Sequence, residues 1–195
     1  MLETGCRYVA GVDEVGRGAW AGPVSVGVAV VDAASLVAMP AGLRDSKALS
    51  PGARDALFPL LAAACRSFAV GHASALECDE LGMTAAQALA TSRAIAGLGE
   101  PPDALVVDGV VDFTGHPNAV VAAGADRTSL AVAAASVLAK VTRDRIVVEL
   151  GHEYPGYGFA RNKGYPTPEH RRAVARLGLT DVHRRTWTFA RPIEG

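Results

Sequence analysis

Two hydrophobic periods alternate along the chain. Val24, Val26, Val28 and Val30 alternate with smaller residues, the period of two expected of a strand. Tyr8–Val12 is a short apolar run that ends at Asp13-Glu14 and is followed by Gly16-Arg17-Gly18. Further strands are expected over Ser67–His72, Ala104–Val107 and around Val120-Val121. Ser50-Pro51 reads as a helix cap with proline at the first helical position, opening a helix toward Cys65. A second helix is expected from about Asp79 to Leu98, before Pro101-Pro102 breaks the chain. A third starts near Ser129, with Leu130, Ala134, Val137, Val141 and Val148 on one stripe and Lys140, Arg143 and Glu149 off it. Thr167-Pro168-Glu169 starts a fourth, running to about Leu177. Between the last two, Tyr154–Thr167 reads as a long loop rich in glycine, proline and tyrosine, and loops of that length are often functional. Strands that come first and then alternate with helices indicate an α/β class with a mixed central sheet.

Composition narrows the class. Half of the 195 residues are hydrophobic and 20% are charged, enough apolar material for one packed domain and incompatible with disorder as the main state. No repeat, low-complexity segment or long linker divides residues 1–195. The longest apolar stretches are strand-sized, too short to span a bilayer, and Met1–Arg7 lacks the apolar run of a signal peptide; a cytoplasmic monomer without a membrane partner is expected. Cys6, Cys65 and Cys78 are odd in number and show no CxxC spacing, which favours small buried hydrophobes over a disulfide framework or a zinc site.

The net charge of −1 hides an asymmetry. Residues 127–195 carry twelve Lys/Arg against six Asp/Glu, a net of +6, whereas residues 1–126 carry seven against fourteen, a net of −7. A basic final third beside an acidic body suits an enzyme that grips phosphates at one place and concentrates carboxylates at another. Two expected strands end in such acids, Asp13-Glu14 and Asp108, and strand ends are where ligands collect in α/β sheets. If those strands are neighbours, the carboxylates repel unless a cation lies between them, and an oxygen-rich set favours Mg²⁺ or Mn²⁺. Asp126, just before the helix at Ser129, extends the set. Each acid has a plainer alternative: a turn after a strand for Asp13-Glu14, an Asp-Gly turn at Asp108-Gly109, a helix cap for Asp126.

The string Val12-Asp13-Glu14-Val15-Gly16-Arg17-Gly18 with Ala21-Gly22-Pro23 resembles the N-terminal signature of the type 2 ribonucleases H, the ribonuclease HII family. Asp45-Ser46-Lys47, Val107-Asp108-Gly109, the run Ala134–Arg145 and Asn162-Lys163-Gly164-Tyr165 resemble the later blocks of that family in the same order, and His183-Arg184-Arg185 has a similar look. The resemblance implies a ribonuclease H-like fold, a mixed central β-sheet flanked by helices, with a small helical C-terminal part. Residues from about 151 to 195 would form an extension that grips substrate. It also implies catalytic, metal-binding carboxylates at Asp13, Glu14, Asp108 and Asp126, holding two Mg²⁺ or Mn²⁺ ions in the active complex. Asp144 is the alternative fourth acid, though its Thr-Arg-Asp-Arg setting inside a helix reads as that of a salt-bridge partner.

The substrate implied is an RNA–DNA hybrid, or a DNA duplex with one embedded ribonucleotide, cut 5′ to it to leave 5′-phosphate and 3′-hydroxyl ends. Gly16, Arg17 and Gly18 would approach the ribose 2′-hydroxyl. Ser46, Lys47 and Lys163 are candidates for phosphate contacts, as are Thr167 and His170, which the cap and first turn of a helix explain equally well. Tyr165 would stack on the deoxyribose that follows the ribonucleotide. A DNA-specific nuclease or resolvase of the same fold would use similar acids but has no need of the Gly-Arg-Gly and Tyr165 pair. A non-catalytic nucleic-acid-binding module would explain the basic third and leave the acids unexplained.

Overall fold

The computed structural model describes residues 5–43 and 49–187. Its core is a five-stranded sheet made of β1 (Val9–Val15), β2 (Val24–Val31), β3 (Ser67–Ala73), β4 (Ala104–Asp108) and β5 (Ala119–Ala122), in the spatial order β3-β2-β1-β4-β5. The first three strands pair antiparallel, and β4 and β5 run parallel to β1, so the sheet is mixed. The helices are α1 (Ala33–Ala38), α2 (Pro51–Ala64), α3 (Ala75–Leu81), α4 (Met83–Ala96), α5 (Leu130–Glu153), α6 (Phe159–Asn162) and α7 (Pro168–Leu177).

Side-chain alternation sorts each strand between two helical layers. Ala10 and Val12 of β1, with Val24, Val26, Val28 and Val30 of β2, pack with Ala86, Ala90 and Ala94 of α4. The other face meets α5, where Ala29 joins Ala134, Ala135 and Leu138. That approach is close. A Cβ at Gly11 would overlap the backbone of Ala131, and one at Gly27 would press on the carbonyl of Ala135. The first half of α5 is therefore buried almost all round, not along one stripe. Leu130, which the stripe places inward, is exposed, and Arg143, which lies off it, is fully buried.

The element boundaries differ from expectation in a few places, each with a local cause. β1 continues through Asp13-Glu14 to Val15, because β2 pairs with it along its whole length. The helix expected over 79–98 is two helices, α3 and α4, separated by Gly82 at φ +78°. Its start lies earlier, where Ser74 and Glu77 cap each other reciprocally. Neither α1, capped by Asp32, nor the single turn α6 inside the 154–167 loop was expected. Ser50 and Thr167 do cap α2 and α7. Cys65 and Cys78 are buried free thiols, and Cys6 is a partly exposed one. Among the described residues, no helix is long and apolar enough to cross a membrane.

Candidate active site

The β1–β4 register gathers the acids. Val12 pairs with Val107, so the next step of the parallel ladder sets Asp13 beside Asp108, on strands that lie about 4.8 Å apart. Both project toward α5, as Gly11 does two residues earlier. The third acid arrives through the loop after β5. Gly124, at φ +73°, reverses the chain into a 3₁₀ turn, Ala125–Arg127, and the Ala125 amide donates to Asp108 Oδ1 at 2.8 Å. Asp108 thereby ties the end of β4 to the turn that carries Asp126. That turn feeds α5, whose Ser129 cap accepts from the Val132 amide, and the N-terminal pole of a 24-residue helix favours negative charge nearby. Asp13 and Asp126 are 3% and 5% exposed, while Glu14 and Asp108 are half-buried. Glu14 alternates to the other face of β1 and stands at the end of the strand.

Neighbouring carboxylates, two of them buried, repel each other unless a cation compensates them. Among the described residues, no three acids, histidines or cysteines already close into a ligand shell. Adjacent backbone elements set Asp13 beside Asp108 and tie Asp108 to the turn that carries Asp126. The donor set of these acids, hard oxygens from strand ends and a helix start, fits a divalent ion such as Mg²⁺ or Mn²⁺. Asp144 lies elsewhere. It pairs with Lys140 at 2.9 Å and sits 3.5 Å from Arg143, and fourteen residues beyond Leu130 it is about 21 Å along the helix.

Beside the acids, two turns are fastened together by two buried arginines to which the sequence analysis gave no site role. Arg143 and Arg184 are both 0% exposed. Arg184 donates to the carbonyls of Gly16 (2.7 Å) and Arg17 (2.8 Å). Arg143 donates to Pro23, Ala21 and Lys163. The Gly164 carbonyl accepts from the amides of Trp20 (2.8 Å) and Ala21 (3.2 Å). The Gly-Arg-Gly turn after β1 and the 162–165 turn after α6 thus form one joint. Burial lowers the pKa of both guanidinium groups, that of Arg184 to about 10, where it still stays charged at neutral pH. Both lie in blocks that resemble the family, but their partners, from 20 to 168 residues away, are not legible in the local sequence.

Arg17 and Gly18 are exposed at the tip of the first turn, and a Cβ at Gly18 would meet nothing. Tyr165 is half-buried, with the Arg143 guanidinium 5.1 Å and the Lys140 ammonium 5.3 Å from its ring centre. Lys163 adopts a left-handed conformation, φ +51°, to close α6, and its ammonium folds onto the Ala160 carbonyl. His170 is fully buried, which removes it as a phosphate contact. Ser46 and Lys47 lie outside the described residues, as does the tail 191–195.

A mixed five-stranded sheet in this order, flanked by helices, is a ribonuclease H-like fold. A family model for ribonuclease HII matches residues 10–190. Ribonuclease HII of Paracoccus denitrificans is 49% identical over 189 residues, 95% of this chain and 87% of that one. Its counterpart in Thermus thermophilus is 50% identical over 180 residues, 91% of this chain and 84% of that one. The solved structure of ribonuclease H2 from Pyrococcus horikoshii superposes with a TM-score of 0.80 at 33% identity, covering 94% of this chain and 95% of that chain. The chain belongs to the ribonuclease HII family. It is a hydrolase that cuts the RNA strand of RNA–DNA hybrids.

Proposed function

We propose that this enzyme recognises the step from ribonucleotide to deoxyribonucleotide, including a single ribonucleotide within duplex DNA, and cuts on its 5′ side. The observation that carries this reading is the joint just described: the Gly-Arg-Gly turn and Tyr165 are locked side by side at the end of β1 that bears Asp13. Arg184 occupies the inward carbonyls of the first turn. Reading of the 2′-hydroxyl therefore falls to the exposed Arg17-Gly18 tip, where no side chain obstructs approach. Tyr165 offers a flat apolar face to the neighbouring deoxyribose, and cations on its other flank hold the ring.

Asp13 and Asp108 would be shared ligands, with Glu14 and Asp126 each completing one site. Two Mg²⁺ or Mn²⁺ ions held there would supply a water nucleophile and stabilise the departing 3′-oxygen, leaving a 5′-phosphate. The chain's own residues fix where the scissile phosphate lies. The joint orients the ribose, and the basic segment from about residue 151 onward, with Lys163 and Lys47, grips phosphates.

Tyr165→Ala and Tyr165→Phe, assayed in one Mg²⁺ buffer on a single-ribonucleotide duplex and on a continuous hybrid, test the reading. The alanine variant should lose roughly 1–3 kcal/mol of stacking on the first substrate and less on the second, while the phenylalanine variant keeps most of the selectivity. Equal losses on both substrates, or none, would make Tyr165 a packing residue.

A further inference from the structure

Behind Tyr165 lies a pair of histidines that the catalytic chemistry does not use. His170 and His183 are 0% and 1% exposed, and their Nε2 atoms are 3.1 Å apart. Tyr157, Phe159 and Trp20 surround the two rings, with the Tyr157 ring centre 5.0 Å from that of His183 and the Phe159 ring centre 5.3 Å from that of His170. One end of the chain of contacts is Thr180: its N–H donates to His183 Nδ1 at 3.0 Å, and its hydroxyl, which can donate to the same lone pair, lies 2.8 Å from that nitrogen. The other end is a carbonyl: His170 Nδ1 lies 3.0 Å from the oxygen of Tyr165, which also accepts from the Thr167 amide at 2.8 Å.

These ends fix every proton between them. An amide donor at His183 Nδ1 requires a lone pair there, so a neutral His183 carries its proton on Nε2. That proton points at His170 Nε2, which must accept it. His170 then holds its own proton on Nδ1 and donates it to the Tyr165 carbonyl. A hydrogen on both facing nitrogens would break the 3.1 Å contact. Burial holds both rings below the usual histidine pKa, His183 at about 4.

We propose that His170 and His183 form a tautomer-locked pair that positions the backbone of Tyr165, and through it the preference for a ribonucleotide–deoxyribonucleotide step. The proposal rests on the reading of Tyr165 given above. His170 and His183 are positioning residues. Neither reaches the surface, and their influence passes through one carbonyl into the turn that Arg143 and Gly164 fasten from the other side.

The tautomers can be read directly from the ¹⁵N–¹H NMR spectrum of the unaltered protein at pH 7. His170 should be protonated at Nδ1 and His183 at Nε2; the opposite tautomers, or a cationic ring, would overturn the lock. Kinetics then test its role on the same two substrates. His170→Phe keeps the ring volume but removes the donor, and should lower kcat/KM on the single-ribonucleotide duplex by about tenfold more than on the hybrid, the effect of one lost hydrogen bond. His170→Asn places an amide near the old Nδ1 and should restore most of that loss. Adding Tyr165→Ala to His170→Phe should produce little further selective loss; full additivity would mean the two act separately and overturn the proposal. If Tyr165→Ala alone discriminates between the substrates and a folded His170→Phe does not, the pair is packing only. If Tyr165→Ala itself fails to discriminate, the reading of Tyr165 is at fault and the proposal falls with it, whatever the tautomers.

Discussion

Asp108 does two jobs with one carboxylate, presenting charge beside Asp13 and holding the Ala125 amide that sets Asp126 in place. Asp13→Asn or Asp108→Asn preserves shape and removes charge from a ligand proposed to be shared. Cleavage should fall by orders of magnitude while duplex binding, which depends on phosphate contacts elsewhere, survives. Asp126→Asn should behave in the same way, whereas Asp144→Asn should mainly affect the stability of α5, where Lys140 is its partner. An active Asp126 variant beside a folded but inactive Asp144 variant would reverse that assignment. The two glycines of the first turn separate in the same manner. Gly16 has φ +86°, and a Cβ there would strike the buried Arg143; Gly16→Ala should lower stability by more than about 1 kcal/mol. Gly18 has open space where its Cβ would lie. Gly18→Ala should unfold within about 0.5 kcal/mol of the parent and yet lose cleavage at a single ribonucleotide. A Gly18 variant with unchanged activity would remove this glycine from substrate recognition.

At the level of elements, what was legible depended on how local the cause was. The period-two valines of β2 and the Ser50-Pro51 and Thr167-Pro168 caps act within a few residues, and all of them read correctly. The acids of β1 and β4 could be named from their place at strand ends, but only the register, Val12 against Val107, makes Asp13 and Asp108 neighbours. Arg143 looked like a solvent-facing charge because the helical stripe assumes one covered face. Here α5 is enclosed on several sides and Arg143 meets three carbonyls from two distant turns. His170 does lie in the first turn of α7, as read from the cap, but its ring partner, His183, follows the helix. Arg184 gives the clearest test of this long-range joint. Arg184→Met keeps much of the volume but strands the Gly16 and Arg17 carbonyls. Equilibrium urea unfolding should show a loss of roughly 2–5 kcal/mol, with Arg184→Lys in between. A loss near zero would mean that the turn does not need its arginine.

Across the whole molecule, burial of neutral histidines makes stability depend on pH. The pKa values of His170 and His183 are lowered by burial, that of His183 to about 4, and His72 is lowered by burial and by nearby Arg93. A depressed folded pKa means that the native state refuses protons which the unfolded chain accepts below about 6.5. These groups therefore contribute stability that is fully present above pH 6.5 and is lost as pH falls toward their folded values, near 4 for His183. For His183 alone the loss amounts to at most about 3 kcal/mol. A second phase follows at lower pH, because Arg93 and the Ser74 amide hold Glu77 at about 2 against its ordinary 4.5. Its contribution, reduced by solvent around a partly exposed pair, is lost between pH 4.5 and 2. Urea unfolding measured from pH 7.5 to 4.5 should show stability falling throughout the lower part of that range, with a slope steeper than the roughly 1.4 kcal/mol per pH unit of a single proton. His183→Phe should flatten the slope, since it deletes one of the protons. A parent protein whose stability is level between pH 6.5 and 4.5 would show that the buried histidines gain their protons without unfolding the joint they support.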